Sequence, residues 1–320
     1  MSIKYHIPVF KESVFSYLQV ENAKKNSVYV DATLGDGGHT QCLALSLKDK
    51  GIVISIDKDK EAIKRAKNRL NDLTNIIYVN DSYENLKEIL LSLNISVING
   101  IVFDLGLSSF HLDGSGRGFS FLRNEPLDMR MNADSELNAG KLVNTSSIDE
   151  LADIIWKYGE ERWSRKIARE IEKNRNKKPI EDTDQLVQII KEAIPREYHP
   201  HHHHVATKTF QALRIAVNKE LVDLKETLKT AVDFLYPGGR ICIISFQSLE
   251  DRIAKETFIE LSGKCKCPPN MPECGCNQVK LVKILTKKVV MPSNKEIDEN
   301  PRSRSARLRV AERLNLEQVK

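Results

Sequence analysis

Residues 28–57 constrain this chain more than any other stretch. A β-branched run, Val28-Tyr29-Val30, ends in Asp31 and gives way to a turn carrying Gly35, Gly37 and Gly38. A helical pattern follows, and then a second apolar run, Ile52-Val53-Ile54-Ser55-Ile56, ends in Asp57. A strand that breaks into glycines and re-emerges as a helix brings bare backbone N–H groups to the carboxyl end of a sheet. Asp57 stands about 20 residues beyond the glycines, where nucleotide-binding folds place a carboxylate on ribose hydroxyls. The stretch predicts a pocket for the sugar end of a nucleoside-bearing cofactor.

Two residues decide which cofactor. A dinucleotide fingerprint, Gly-x-Gly-x-x-Gly, needs its third glycine for close helix–strand packing, and Thr40 stands there. Asp36 lies where a pyrophosphate would come, and a diphosphate does not welcome a carboxylate. S-adenosylmethionine has no phosphate and carries a sulfonium and an amino group, so acids beside the loop suit it. A glycine loop alone is also an ordinary tight turn. Its combination with Asp57 and with further strands that end in acids points to a methyltransferase pocket.

The chain continues in the same rhythm. Helical patterns at 60–70 and 83–93 alternate with β-branched runs at 76–79 and 97–105, which predicts an α/β, doubly wound, Rossmann-like parallel sheet. Ligands of such sheets bind outside the carboxyl ends of the strands. Asp31, Asp57, Asp81 or its neighbours, and Asp104 all fall at such ends. From residue 113 the pattern is helical only. A polar glycine-rich loop at 113–120 leads to a capping box, Ser147-Ile148-Asp149-Glu150, to a helix with Trp163, Ile167 and Ile171 spaced by four, and to a third helix begun by Asp182 or Thr183. Residues 113–205 therefore read as an all-helical insertion, and 1–112 with 206–320 as one discontinuous sheet domain. After it come a long helix over 207–235, a turn at Pro237-Gly238-Gly239, a buried strand at 240–246, a β-branched run at 279–290 and an alternating basic strand at 302–310. The last two are expected to form a hairpin.

Charge and composition narrow the function classes. With 41% hydrophobic and 29% charged residues the 320-residue chain is globular. No apolar run approaches the ~20 residues that span a bilayer, and Met1-Ser2-Ile3-Lys4-Tyr5-His6 lacks the core of a signal peptide. A cytoplasmic location without membrane contact is expected, with free thiols as the default for the six cysteines. A net charge of +5 permits a polyanionic partner, so distribution matters more than the total. The densest basic run is Arg162, Arg165, Lys166, Arg169, Lys173, Arg175, Lys177 and Lys178.

Several longer stretches together resemble one family. They are Asp31-Ala32-Thr33-Leu34-Gly35-Asp36-Gly37-Gly38-His39, Asp104-Leu105-Gly106-Leu107-Ser108-Ser109, Arg117-Gly118-Phe119-Ser120-Phe121, Pro126-Leu127-Asp128-Met129-Arg130-Met131, Tyr158-Gly159-Glu160-Glu161-Arg162, the run from Thr209 to Asn218, the run from Ile244 to Arg252, and Asn300-Pro301-Arg302-Ser303-Arg304-Ser305. They are similar to the bacterial RsmH/MraW methyltransferases, and the likeness covers nearly the whole chain. The resemblance implies transfer of a methyl from S-adenosylmethionine to the exocyclic N4 amine of a cytidine in the decoding region of small-subunit ribosomal RNA. The RNA would be presented naked or in a partly assembled subunit. It further implies that Gly37, Gly38 and His39 contact the cofactor, that Asp57 holds its ribose, that Tyr83 lies beside the adenine and that Asp104 lies beside the methionine part. His111 stands where the family usually has glutamine and, able to donate or accept one hydrogen bond, is expected to contact the cofactor too; Gln247 stands where the family usually has histidine.

No general base is assignable. Modifiers of DNA-base amines often carry an Asp/Asn-Pro-Pro-aromatic motif, which is missing here, and Asp104 serves either the cofactor alone or the amine as well. Phe119 and Phe121, with Arg117 and Arg123, are read either as a clamp on the nucleotide or as a plug against the sheet domain. The basic helix is either an RNA face or a solvated one. Cys265, Cys267, Cys274 and Cys276 are closely paired thiols that read either as a zinc site, though with tighter spacing than such sites normally use, or as a reduced loop or labile disulfide, and no metal is assigned. The internal run of His199 and His201 to His204 would add positive charge below pH ~6.5. Two other classes compete: a non-catalytic RNA-binding assembly factor, and a nicotinamide-dependent oxidoreductase, which Thr40 and Asp36 disfavour.

Overall fold

The computed structural model describes residues 8–202, 204–265, 267 and 279–315. Their contacts divide the chain into two compact units, residues 1–106 with 223–320, and residues 107–222.

The first unit opens with α1 (Lys11–Leu18) and then alternates β1 (Ser27–Asp31), α2 (Gly38–Leu47), β2 (Gly51–Asp57), α3 (Lys60–Arg69), β3 (Ile76–Asn80), α4 (Leu86–Ser92) and β4 (Ile98–Asp104). β1 is buried along its whole length, as its unbroken apolar run requires of a central parallel strand. A single 3-10 turn, Tyr83–Asn85, precedes α4 in place of the helix expected from residue 83. Ser82 accounts for the break, since its hydroxyl accepts from the Glu84 N–H and caps the turn.

The second unit contains α5 (Ser109–Asp113), α6 (Ala139–Thr145), α7 (Ile148–Gly159), α8 (Ser164–Arg175), α9 (Thr183–Ala193) and α10 (Thr207–Asn218). α7 begins at the predicted capping box: the Ser147 N–H donates to Glu150 Oε2 at 2.8 Å, and the Glu150 N–H donates to Ser147 Oγ at 3.2 Å. Asp182 caps α9 through the Gln185 N–H. The expected insertion boundaries at 113 and 205 need correction. Phe210, Leu213 and Val217 of α10 lie in the same apolar core as Leu151, Ile155 and Ile167, and Leu107 packs on that core as well. Each such side chain contributes about 1.5–3 kcal/mol when withdrawn from water, which ties α10 to the helices and not to the sheet.

The long helix expected over 207–235 is two helices. α10 ends where Lys219 turns left-handed at φ 53°, and α11 (Leu224–Phe234) begins five residues later. Neither glycine nor proline marks this break. The first unit then resumes with β5 (Leu235–Ser245), α12 (Ser248–Leu261), β6 (Val282–Ile284), α13 (Asn294–Glu299) and β7 (Arg307–Arg313). The β-branched run at 279–290 supplies only three strand residues and one isolated bridge, Val290 to Leu308. The seven strands form one sheet in the order β3-β2-β1-β4-β5-β7-β6. β7 runs antiparallel to β5 and to β6, and the remaining pairs are parallel. This is the expected doubly wound α/β sheet with an antiparallel final pair. Among the described residues no helix is long and apolar enough to cross a membrane.

Candidate functional site

The order reverses between β1 and β4, since β2 and β3 lie on one side of β1 and β4 and β5 on the other. Such a switch point opens a crevice at the carboxyl ends of the strands. Asp31, Asp57 and Asp104 are the last residues of β1, β2 and β4. Their carboxylates are joined through the turn at 32–39. Asp57 Oδ2 accepts the Gly35 N–H at 2.8 Å, and its Oδ1 accepts the Asp59 N–H at 2.9 Å. Asp31 accepts from the Thr33 N–H at 3.2 Å and from the Thr40 hydroxyl at 2.7 Å, and Thr40 Oγ1 lies 2.8 Å from Ser55 Oγ. The Asp104 N–H donates to Thr33 Oγ1 at 2.6 Å. Three strands and the turn are thereby laced together by side chains.

The turn leaves little room beside two of its glycines, and the backbone at Gly37 favours glycine. Gly37 has φ +80°, and a Cβ there would meet Leu70 Cδ1 at 2.9 Å; at Gly38 a Cβ would meet Pro8 at 3.0 Å. Asp36 points elsewhere. Its Oδ1 accepts from Arg65 Nε at 3.1 Å and its carbonyl from Arg69 at 2.7 Å, so its charge is answered by α3. Asp36 thus loses force as an argument against a diphosphate. Thr40 keeps its force, because it is fully buried and fills with a branched side chain the contact that a dinucleotide fold leaves to glycine.

His39, in the first turn of α2, is buried, and its Nε2 lies 3.7 Å from Asp104 Oδ2. That distance suits an ion pair but is too long for a hydrogen bond. Burial alone would lower the His39 pKa, yet the charges of Asp104 and Asp31 outweigh it and hold the pKa above the ordinary value. Burial raises the Asp31 pKa, an effect partly offset by His39, Thr40 and Thr33. Among the described residues, His39 Nε2 and Asp104 Oδ1 are both shielded from solvent without a hydrogen-bond partner. Tyr83 lies edge-on to Phe103 of β4, with ring centroids 5.8 Å apart. Gly37, Gly38, His39, Asp57, Tyr83 and Asp104 are therefore all carried by the sheet unit, at or next to its strand ends.

His111 belongs to the helical unit. It is buried on α5, with Nδ1 3.1 Å from Ser108 Oγ and its ring 4.9 Å from Phe119. Phe119 is buried in the helical core, while Phe121 stacks on His204 at 4.7 Å and meets Phe210 edge-on at 5.6 Å. Arg117 donates to the Arg130 and Met131 carbonyls. Loop 113–123 is thus tied into its own unit through Phe119, Phe121 and Arg117. Gln247 is buried at the start of α12, where its amide donates to Glu250 Oε1 at 2.7 Å. A helix-capping pair stands there in place of a titrating imidazole. Of the four thiols singled out in sequence, Cys274 and Cys276 lie outside the described residues; Cys265 Sγ accepts the Cys267 N–H at 3.3 Å.

Residues 4–314 match the MraW methylase family. The chain belongs to that family. Curated relatives extend the likeness over nearly full length. It is 50% identical over 309 residues to ribosomal RNA small subunit methyltransferase H of Halothermothrix orenii, covering 97% of this chain and 98% of that one. The namesakes from Clostridium botulinum (strain Kyoto) and Clostridioides difficile are 48% and 45% identical, each covering 97% of this chain and 99% of theirs. Methylases of this family use S-adenosylmethionine as donor. The site's residues fit it: Asp104 Oδ1 is a buried acceptor lacking a donor among the described residues, and an ammonium supplies one.

Proposed function

We propose that this methylase transfers the methyl of S-adenosylmethionine to the exocyclic N4 amine of a cytidine in the decoding region of small-subunit ribosomal RNA, naked or in a partly assembled subunit. The reading puts the protein in the cytoplasm. The observation that carries the cofactor half is the acid-ended switch point with its orphaned Asp104 oxygen. In this reading Asp57 holds the ribose, and its bonds from the Gly35 and Asp59 N–H groups fix the carboxylate before the ligand arrives. Gly37, Gly38 and His39 form the wall of the turn, Tyr83 flanks the adenine, and Asp104 takes the amino group. His111 contributes through Ser108, which sets its ring. The donor supplies an electrophilic methyl, so the protein's task is to align the acceptor and exclude water. The cytosine amine is a poor nucleophile because its lone pair is delocalised into the ring. An acceptor for one of its hydrogens would make the nitrogen more reactive, and Asp104 is the acidic side chain at the strand end that could serve.

The RNA half rests on α8. Ile167, Ala168 and Ile171 face the core while Arg165, Lys166, Arg169 and Lys173 are exposed, so one side of the helix is a basic strip. The other basic candidate, around 302–309, is weaker, since Arg309 forks onto Asp251 at 2.6 and 3.0 Å and Arg307 lies 3.5 Å from the same carboxylate. The test is methylation with labelled cofactor, followed by digestion of the RNA to nucleosides. Label in N4-methylcytidine is expected. Cofactor binding with no label in small-subunit RNA or subunits would favour the assembly-factor reading instead.

A further inference from the structure

The helical unit contains a cavity of about 310 Å³, at the small end of the range for ligand pockets. Its lining includes Arg162, Trp163, Ile194, Tyr198, Val205 and Lys208, all from residues 107–222 and none of them assigned to the cofactor.

Three features describe an occupant. The first is aromatic: the Trp163 and Tyr198 rings lie 5.3 Å apart at 48°, and the Arg162 guanidinium stands over both, 5.6 and 4.9 Å from their centroids. Flat π-faces and a guanidinium plane are what unstacked bases lie against. The second is an unmet donor, since Trp163 Nε1 is shielded from solvent and has no acceptor among the described residues. Buried indole N–H groups normally find one, and every base carries carbonyl oxygens or ring nitrogens that would serve. The third is location. Trp163 is the residue at which α8 begins, and the exposed Arg165, Lys166, Arg169 and Lys173 follow along that helix. A backbone whose phosphates track this strip delivers its bases to the cavity.

Resting on the RNA reading above, we propose that this cavity takes one unstacked base of the substrate RNA, separate from the cytidine that is methylated. A methyl acceptor must lie against the methyl donor, and this cavity includes none of the residues assigned to that donor. The site anchors the RNA by stacking and carries no chemistry. Its preference is for single-stranded segments, because a base held in a duplex cannot enter.

The chain has two tryptophans, so replacing exposed Trp156 by Phe leaves Trp163 as its only indole emitter. This protein is titrated with a mixed-sequence single-stranded oligoribonucleotide of about a dozen nucleotides, with binding followed independently by anisotropy of a labelled strand. Saturable quenching of Trp163 is expected. Tyr198→Ala should weaken binding by about five- to a hundred-fold, the range for loss of one base–aromatic stack. Tyr198 is half exposed, so its truncation leaves the core intact; an unchanged circular-dichroism spectrum and melting temperature certify the fold. Oligonucleotide binding with an unaltered Trp163 signal and no effect of Tyr198→Ala overturns the base site while leaving the RNA reading standing. Absence of any binding, together with absence of RNA methylation, overturns both.

Discussion

Replacing Arg165, Arg169 and Lys173 together by Gln tests whether the α8 strip touches phosphate. All three side chains are exposed, and none supports the core, so stability should move by less than about 0.5 kcal/mol. The electrostatic consequence is larger. Each phosphate contact on single-stranded nucleic acid adds about 0.7 to the slope of log affinity against log salt. Three contacts amount to about 2, and over a fourfold rise in salt they cost the wild type about twenty-fold in affinity. Lys173 lies 3.1 Å from Glu170 and is partly neutralised already. Counting it out leaves two contacts and a loss of about seven-fold. The variant should therefore methylate ribosomal RNA poorly at low salt, and its deficit should shrink by seven- to twenty-fold as salt rises fourfold. KM for RNA is measured across the salt series, and cofactor affinity is measured by calorimetry on the same preparation. Parallel salt curves for the two proteins, at equal KM, would refute the assignment and leave the strip merely solvated. A shift in cofactor affinity would show that the substitutions reach beyond the helix surface.

Asp57→Ala removes the acceptor of the Gly35 and Asp59 N–H groups as well as the proposed ribose ligand. S-adenosylmethionine affinity should fall by about 1.5–3 kcal/mol, with a lower melting temperature besides, whereas Asp57→Asn keeps one oxygen for the turn and should lose mainly affinity; unchanged affinity in folded Asp57→Ala would rule out the role. The raised pKa of His39 also has a definite sign. Its charged form is stabilised in the fold, so the contribution is complete below about pH 6.5, the unfolded value, and is lost as pH rises through the higher folded value. In the cofactor-free protein the stability difference between wild type and His39→Gln should move against the wild type across that window, and a difference independent of pH would exclude a charged His39.

Much of the sheet was legible because its signals are local. Strands that are buried on both faces read as unbroken β-branched runs, and three of the four expected acids are the terminal residues of their strands. The limits of the helical unit were not legible. The amphipathic pattern of α10 says that one face is buried but not against which partner, so Phe210, Leu213 and Val217 could be assigned to either side of the boundary. The break after Asn218 lacked the glycine or proline that usually announces one, because Lys219 adopts the left-handed turn itself. Polar loops misled in the same way. Arg117 looks like a free cation in sequence, yet its guanidinium serves two backbone carbonyls. Met129 and Met131, within a run that reads as motif chemistry, are buried in the helical core beside the fork of Arg130 on Asp128. The cavity beside Trp163 was missed, although Trp163 and Arg162 were noted, because its far wall comes from Tyr198 and Val205, more than thirty residues onward.

The place of β5 in the sheet sets an order of events on the ribosome. β4 pairs with β1 on one side and β5 on the other, but residues 107–222 are synthesised between β4 and β5. When β4 leaves the exit tunnel, its second edge has no partner, although Ile101, Val102 and Phe103 are wholly buried in the finished protein. At about 5–20 residues per second, that edge waits several seconds or longer for β5. Open apolar strand edges template association between chains. The helical unit, made of local contacts, can fold within that interval, so the sheet is the last part of the molecule to close. Its exposure to aggregation during synthesis is therefore fixed by the length of the insertion and the speed of translation, more than by the stability of the finished fold.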